Sequence, residues 1–174
     1  MKMLQRIIYA MTALLISLNL QAQSYEVPKD YVLKVAEDYK RYESDIIQAA
    51  NWLKATPLDE QEEKRQDVSS FVMQWINGSP TVNVEITPLI LNFEKQNPGM
   101  MVLYMAFSAQ FVLEHQYSTD RPAKHLFALR NMLEVYKAGK GVSIKKDKNL
   151  ESFIKYDADG EALKWISKNL KIKD

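Results

Sequence analysis

No cysteine occurs among the 174 residues, which excludes a disulfide framework, a zinc–thiolate site, covalent haem attachment and a thiol nucleophile. The chain has only five glycines, and none lies in a phosphate-cradling loop or a Gly-x-Ser-x-Gly elbow. Histidine occurs twice, as His115 and His125, and neither Glu-x-x-His nor His-Glu-x-x-His is found. The net charge of +1 gives no strong bulk field for gathering nucleic acid or anionic lipid. Most familiar enzyme, metal and nucleic-acid chemistry is thereby thinned out before any segment is read.

What remains is a globular composition, 47% hydrophobic and 26% charged, long enough for one domain with a real core. Lys2 and Arg6 precede an apolar run from Ile7 to Leu20, followed by Gln21 and Ala22. A basic start, an apolar core of about 7–15 residues and a small residue at the cut describe a secretory signal peptide. Cleavage is expected after Ala22, so residues 1–22 are the signal and 23–174 the mature domain. An uncleaved anchor is the alternative, but a span needs about 20 apolar residues, and Thr12, Ser17 and Asn19 interrupt this run. The expected address is the periplasm or the extracellular medium, with no stable membrane span after cleavage. The charge left behind is uneven. Residues 23–136 carry 11 basic and 16 acidic groups, whereas 137–174 carry 10 and 6. This split reads as two solvated faces.

The mature chain has helical periodicity almost throughout. Tyr31, Val35, Tyr39, Tyr42, Ile46, Ala49, Ala50 and Leu53 predict one helix over 30–54, straight or kinked near Ser44. Thr56-Pro57 predicts an N-cap and first helical residue, leading to the stripe Val68, Phe71, Val72, Trp75, Ile76, with Gly78 closing in the left-handed conformation. Thr87-Pro88 starts a short helix, and Asn97-Pro98-Gly99 is a turn. Met100 to Leu113 is apolar apart from Ser108 and Gln110, as expected of a helix enclosed by others. Asp120-Arg121-Pro122 opens a helix ending at Gly139 and Gly141, with Leu126, Phe127, Leu129, Met132, Leu133 and Tyr136 inward. Asp147 caps another, and Leu163, Trp165, Ile166 and Leu170 line the last. The expectation is an all-α fold, a single irregular bundle of about six or seven helices, with a short solenoid-like stack of helix pairs as the alternative.

Each candidate for chemistry has an ordinary reading that outweighs it. His115 and His125 flank one turn and would face each other across it in a metal or haem site, but a zinc site wants three or four ligands, so they are read as surface or cap residues. Asp157-Ala158-Asp159-Gly160 resembles the middle of a calcium loop, yet Lys155 and Ile166 occupy positions where that loop needs oxygen ligands. Glu60, Glu62 and Glu63 form a solvated acidic face. Tyr31, Tyr39 and Tyr42 with Lys40 and Arg41 suggest a stacking groove, although their helical spacing suits core packing better. No catalytic residue, metal ligand or cofactor is therefore assigned, and the chain is expected to be non-enzymatic.

The least helical stretch is Asn77 to Glu85, where Thr/Val/Val alternation favours extended backbone without a partner strand. Binding residues concentrate on such segments when a rigid scaffold holds them. Trp75, Ser79, Thr81 and Glu85 are therefore the expected partner-binding residues, and the partner is expected to be another envelope or secreted protein. A carrier of an apolar ligand or non-covalent cofactor around Met100–Leu113, or a hydrolase without a recognisable motif, stands as the alternative.

The stretches NWLKATPLDE (51–60), QWINGSPTVNVEI (74–86) and KDKNLESFIK (146–155) together resemble small exported all-helical proteins of the bacterial envelope. The resemblance spans most of 30–170. It implies a helical fold and an exported address, and it carries over no activity and no functional residue.

Overall fold

The computed structural model describes residues 25–170; the expected cleavage position and the apolar run before it lie outside them. The described residues form eight α-helices and no β-sheet: α1 (Ala36–Arg41), α2 (Glu43–Ala55), α3 (Glu62–Gly78), α4 (Pro88–Gln96), α5 (Met100–Glu114), α6 (Arg121–Gly139), α7 (Lys148–Ala158) and α8 (Ala162–Leu170). The apolar helix α5 is the hub. Ten of its fifteen residues are buried, and it packs against α2, α3, α4 and α6. Helix α6 also reaches α2 and α8, so the helices close around one core instead of touching only their neighbours in order. An irregular bundle results, as the all-round apolarity of α5 requires: a helix with no wet side needs partners on every side.

Several predicted caps are in place. Asp120 accepts from the Ala123 amide at 2.9 Å, Pro88 occupies the first turn of α4, and Gly99 turns the chain with φ 94°. Asp147 accepts from the amides of Asn149 (2.7 Å) and Leu150 (3.0 Å) and is itself buried. Replacing Asp147 with alanine leaves two buried-end donors without their acceptor. The expected loss is about 1 kcal/mol of unfolding free energy, read from a urea titration, and no measurable change would remove this cap from the account.

Four local expectations are corrected. The helix expected over 30–54 starts only at Ala36 and breaks at Tyr42. Asp30 turns the chain with φ 52°, and the Asp38 carboxylate takes the amides of Lys34 and Val35, which fixes the later start. Thr56-Pro57 does not open α3. Thr56 closes α2, its amide bonded to the Trp52 carbonyl, and Arg65 donates to the carbonyls of both Thr56 and Pro57. Gly78 stays helical, and a Cβ there would meet the Tyr39 hydroxyl, so the tyrosine ring would have to shift to admit one. Leu163 is exposed, since Ala162, Trp165, Ile166 and Leu170 take the inward face and leave it a quarter-turn away.

The tyrosine stripe packs inward. Tyr31 and Tyr42 meet Phe71 edge-on at 4.8 and 6.0 Å, and Tyr39 lies 6.3 Å from Trp75, while Lys40 and Arg41 are exposed. These contacts attach the non-helical residues 25–35 and α1 to the face of α3.

Candidate functional site

Between α3 and α4 the chain runs without helix from Ser79 to Thr87, and both end residues have extended backbone. Burial alternates along it: Val82 is buried and Val84 half-buried, while Thr81 and Asn83 are exposed, as an extended chain lying on a surface demands. The Ser79 hydroxyl organises the entry by accepting from the amides of Thr81 (3.4 Å) and Val82 (3.2 Å).

The first turn of α6 holds the far end of the segment. Arg121 grips Glu85 with two parallel bonds, Nε to Oε1 at 2.9 Å and Nη2 to Oε2 at 2.7 Å. This pairing holds the Glu85 carboxyl below its ordinary value and raises the Arg121 guanidinium. One turn on, buried Lys124 donates to the Asn83 carbonyl at 2.8 Å, and burial pulls its ammonium pKa down. The next residue, His125, has no exposed surface and hydrogen-bonds through Nδ1 to the Tyr104 hydroxyl of α5, with the two rings nearly parallel. Burial, then the charge of Lys124, lowers the His125 pKa to about 4, so the ring is neutral at pH 7. Its Nε2 has no hydrogen-bond partner among the described residues. Burial also raises the Tyr104 phenol. Residues 121, 124 and 125 thus share one helical face and carry out three tasks: two pin the segment and one ties α6 to the hub.

Beside the pinned segment lies a groove of about 520 Å³, with Ile76, Val84, Ile86 and Met105 among its lining residues. Ile86 is exposed at its edge. The backbone amides of Asn83, Val84, Glu85 and Ile86 find no acceptor among the described residues. An extended strip with free donors, held rigid and flanked by apolar side chains, has the features a peptide strand needs for pairing.

Of the residues expected to bind a partner, Thr81 is exposed on this segment, Ser79 shapes its entry, and Glu85 anchors it through Arg121. Trp75 is placed differently. It has no exposed surface, and its indole N–H donates to the Tyr39 carbonyl at 2.8 Å. It is thus buried in the last turn of α3, bonded to Tyr39, and is not on the exposed face of the segment. The histidines do not face each other: His115 lies exposed at the end of α5, stacked on Phe111 at 4.2 Å, while His125 is buried. Among the described residues no group of three or more histidines, aspartates or glutamates is placed to hold a metal ion.

Arg121, Lys124 and Tyr104 do not figure among the sequence's candidates, and His125, expected at the surface or in a cap, is instead buried against Tyr104. The available signal was polar residues at i, i+3 and i+4 on the face where the apolar stripe of α6 should begin. Compared with protein families, curated proteins and solved structures, the chain gives no match.

Proposed function

We propose that this chain is an exported, non-enzymatic binding protein that captures an extended segment of another envelope or secreted protein along residues 81–86. The observation that carries the reading is the row of amides from Asn83 to Ile86 without acceptors, on a segment fixed at both ends and bordered by the Ile76–Met105 groove. Pairing with a partner strand supplies main-chain bonds, and the groove receives alternate side chains of the incoming segment. The exported address rests on Lys2, Arg6 and the apolar run to Leu20.

The test starts from peptides selected against the folded protein from a random displayed library. Amide exchange is then measured by NMR with and without the best binder. Protection of one alternate pair, Asn83 with Glu85 or Val84 with Ile86, by tenfold or more, with loss of binding in Arg121→Ala, supports strand addition. A binder that protects other amides and leaves these unchanged removes the segment from the reading.

A further inference from the structure

The uneven charge of the sequence becomes a local surface in the fold. Between α6 and α7 the chain forms a closed turn: Val142, Ser143 and Ile144 all donate to the Gly139 carbonyl at 3.0–3.1 Å, and the Gly141 amide bonds to the Ile144 carbonyl at 3.0 Å. Ile144 is buried under the turn, and a Cβ on Gly139 would stand 2.6 Å from its Cδ1, so the turn is seated tightly on the end of α6. A second set of bonds ties the exit to α4. Asn97 donates to the Lys145 carbonyl at 2.9 Å and accepts from the Lys145 amide at 2.7 Å. The Asp147 amide donates to the Tyr136 hydroxyl, which donates to Glu151 at 2.6 Å.

This rigid turn presents Val142 to solvent at 84% exposure, the most exposed large apolar side chain among those described. Lys140, Lys145 and Lys146 border the same concavity as Val142, and Lys95 and Lys148 adjoin Lys146 in the next one. All five are exposed. Glu151 engages Lys140 at 2.8 Å, and Asp147 is buried by its capping role, so Lys95, Lys145, Lys146 and Lys148 have no ion-pair partner among the described residues. Asp59 and Glu60 line the separate cleft of about 220 Å³ that Val142 shares with Ser143 and Ile144, which directs contact to the lysine side of the turn.

We propose that the Lys140–Lys148 turn, with Lys95 beside it, is a docking surface for an anionic lipid bilayer. Lysine ammonium groups are drawn to acidic headgroups, and Val142 enters the boundary between headgroups and acyl chains. The exposed valine selects lipid over an acidic peptide or nucleic acid: a polyanion satisfies the lysines and gives no return for an apolar side chain standing in water among them. The closure of the turn onto the Gly139 carbonyl stands Val142 outward. This surface is distinct from the 81–86 segment, and either proposal stands or fails without the other.

Sedimentation of the full chain with vesicles tests it, comparing phosphatidylcholine alone with phosphatidylcholine containing 30% phosphatidylglycerol. The ratio of the two, read across variants, separates this surface from any contribution of residues 7–20. Each lysine near a charged bilayer strengthens binding about fivefold. Lys145→Ala/Lys146→Ala is therefore expected to lower the anionic preference about 25-fold, and raising salt to 0.5 M to abolish it. Val142→Asp is expected to weaken anionic-vesicle binding about tenfold. Both variants alter only exposed side chains, and circular dichroism checks that they fold. No anionic preference in the parent chain overturns the proposal, as does a preference that survives both variants. Binding to polyglutamate or duplex DNA as tight as to vesicles, and indifferent to Val142→Asp, overturns the lipid assignment.

Discussion

Replacing Trp75 with alanine is expected to lower the unfolding free energy by about 3–5 kcal/mol, measured by urea denaturation followed at 222 nm. The ring is fully buried in the face of α3, and its loss opens a cavity that the surrounding helices can fill only in part. The indole N–H also satisfies the Tyr39 carbonyl, where α1 crosses the end of α3 next to Gly78. Typical domains have about 5–15 kcal/mol in total, so this single change removes a large share. Trp75→Phe keeps most of the volume and loses the hydrogen bond, and about 1–2 kcal/mol is expected from it. The sequence reading put Trp75 at a partner surface, which predicts unchanged stability and weakened binding. A loss below about 1 kcal/mol for Trp75→Ala would return the residue to that role and contradict its burial.

Acidification from pH 7 to pH 4 is expected to cost about 3 kcal/mol through His125 alone. Folding lowers its pKa from 6.5 to about 4. Between those values the unfolded chain binds a proton that the folded chain refuses, so stability is complete above pH 6.5 and falls as pH drops toward 4. The groups around the ring act in both directions: Lys124 and Arg121 disfavour its protonation, and Glu85 favours it, but burial outweighs all three. Below about pH 4.5 the Glu85 carboxyl adds to the loss, because its folded pKa is depressed by Arg121 and the benefit disappears as it protonates. Asp45 works in the opposite sense, since burial raises its pKa and its protonation favours the folded state. The interval from pH 6.5 to 5.5 isolates the histidine, and about 1 kcal/mol should be lost there before carboxylates contribute. The urea midpoint and the His125 ring-proton shift are the measurements. A midpoint flat between pH 7 and 5, or a ring titrating near 6.5, would contradict a buried neutral imidazole.

These two results bear on residues 79–87 from opposite sides. Trp75 ties the last turn of α3, from which the segment leaves, to Tyr39, while Arg121 and Lys124 hold its exit from α6. Protonating His125 places a third positive charge beside Arg121 and Lys124 at the start of α6. The strip held by Arg121 and Lys124 is therefore expected to loosen in acid before the bundle unfolds, with shifts of the Asn83–Ile86 amide resonances as its first sign.

The sequence by itself determined the elements whose information is local. Asp120 and Asp147 cap because their side chains reach amides two or three residues on, and Pro88, Gly99 and Gly160 mark turns through their own backbone limits. The apolarity of 100–113, broken only by Ser108 and Gln110, was enough to place α5 inside the bundle, and the Thr/Val alternation of 81–84 was enough to mark a non-helical strip. What the polar residues away from the caps do was settled only by tertiary structure. Glu85 lies 36 positions from Arg121, Asn83 lies 41 from Lys124, and Tyr104 lies 21 from His125. A histidine or lysine on a helical wheel reads as solvent-facing unless a distant partner meets its hydrogen-bonding needs, and no local pattern records that partner. The same holds for Trp75. Apolarity says that its side chain gains by leaving water, but its burial depends on which helices arrive beside it.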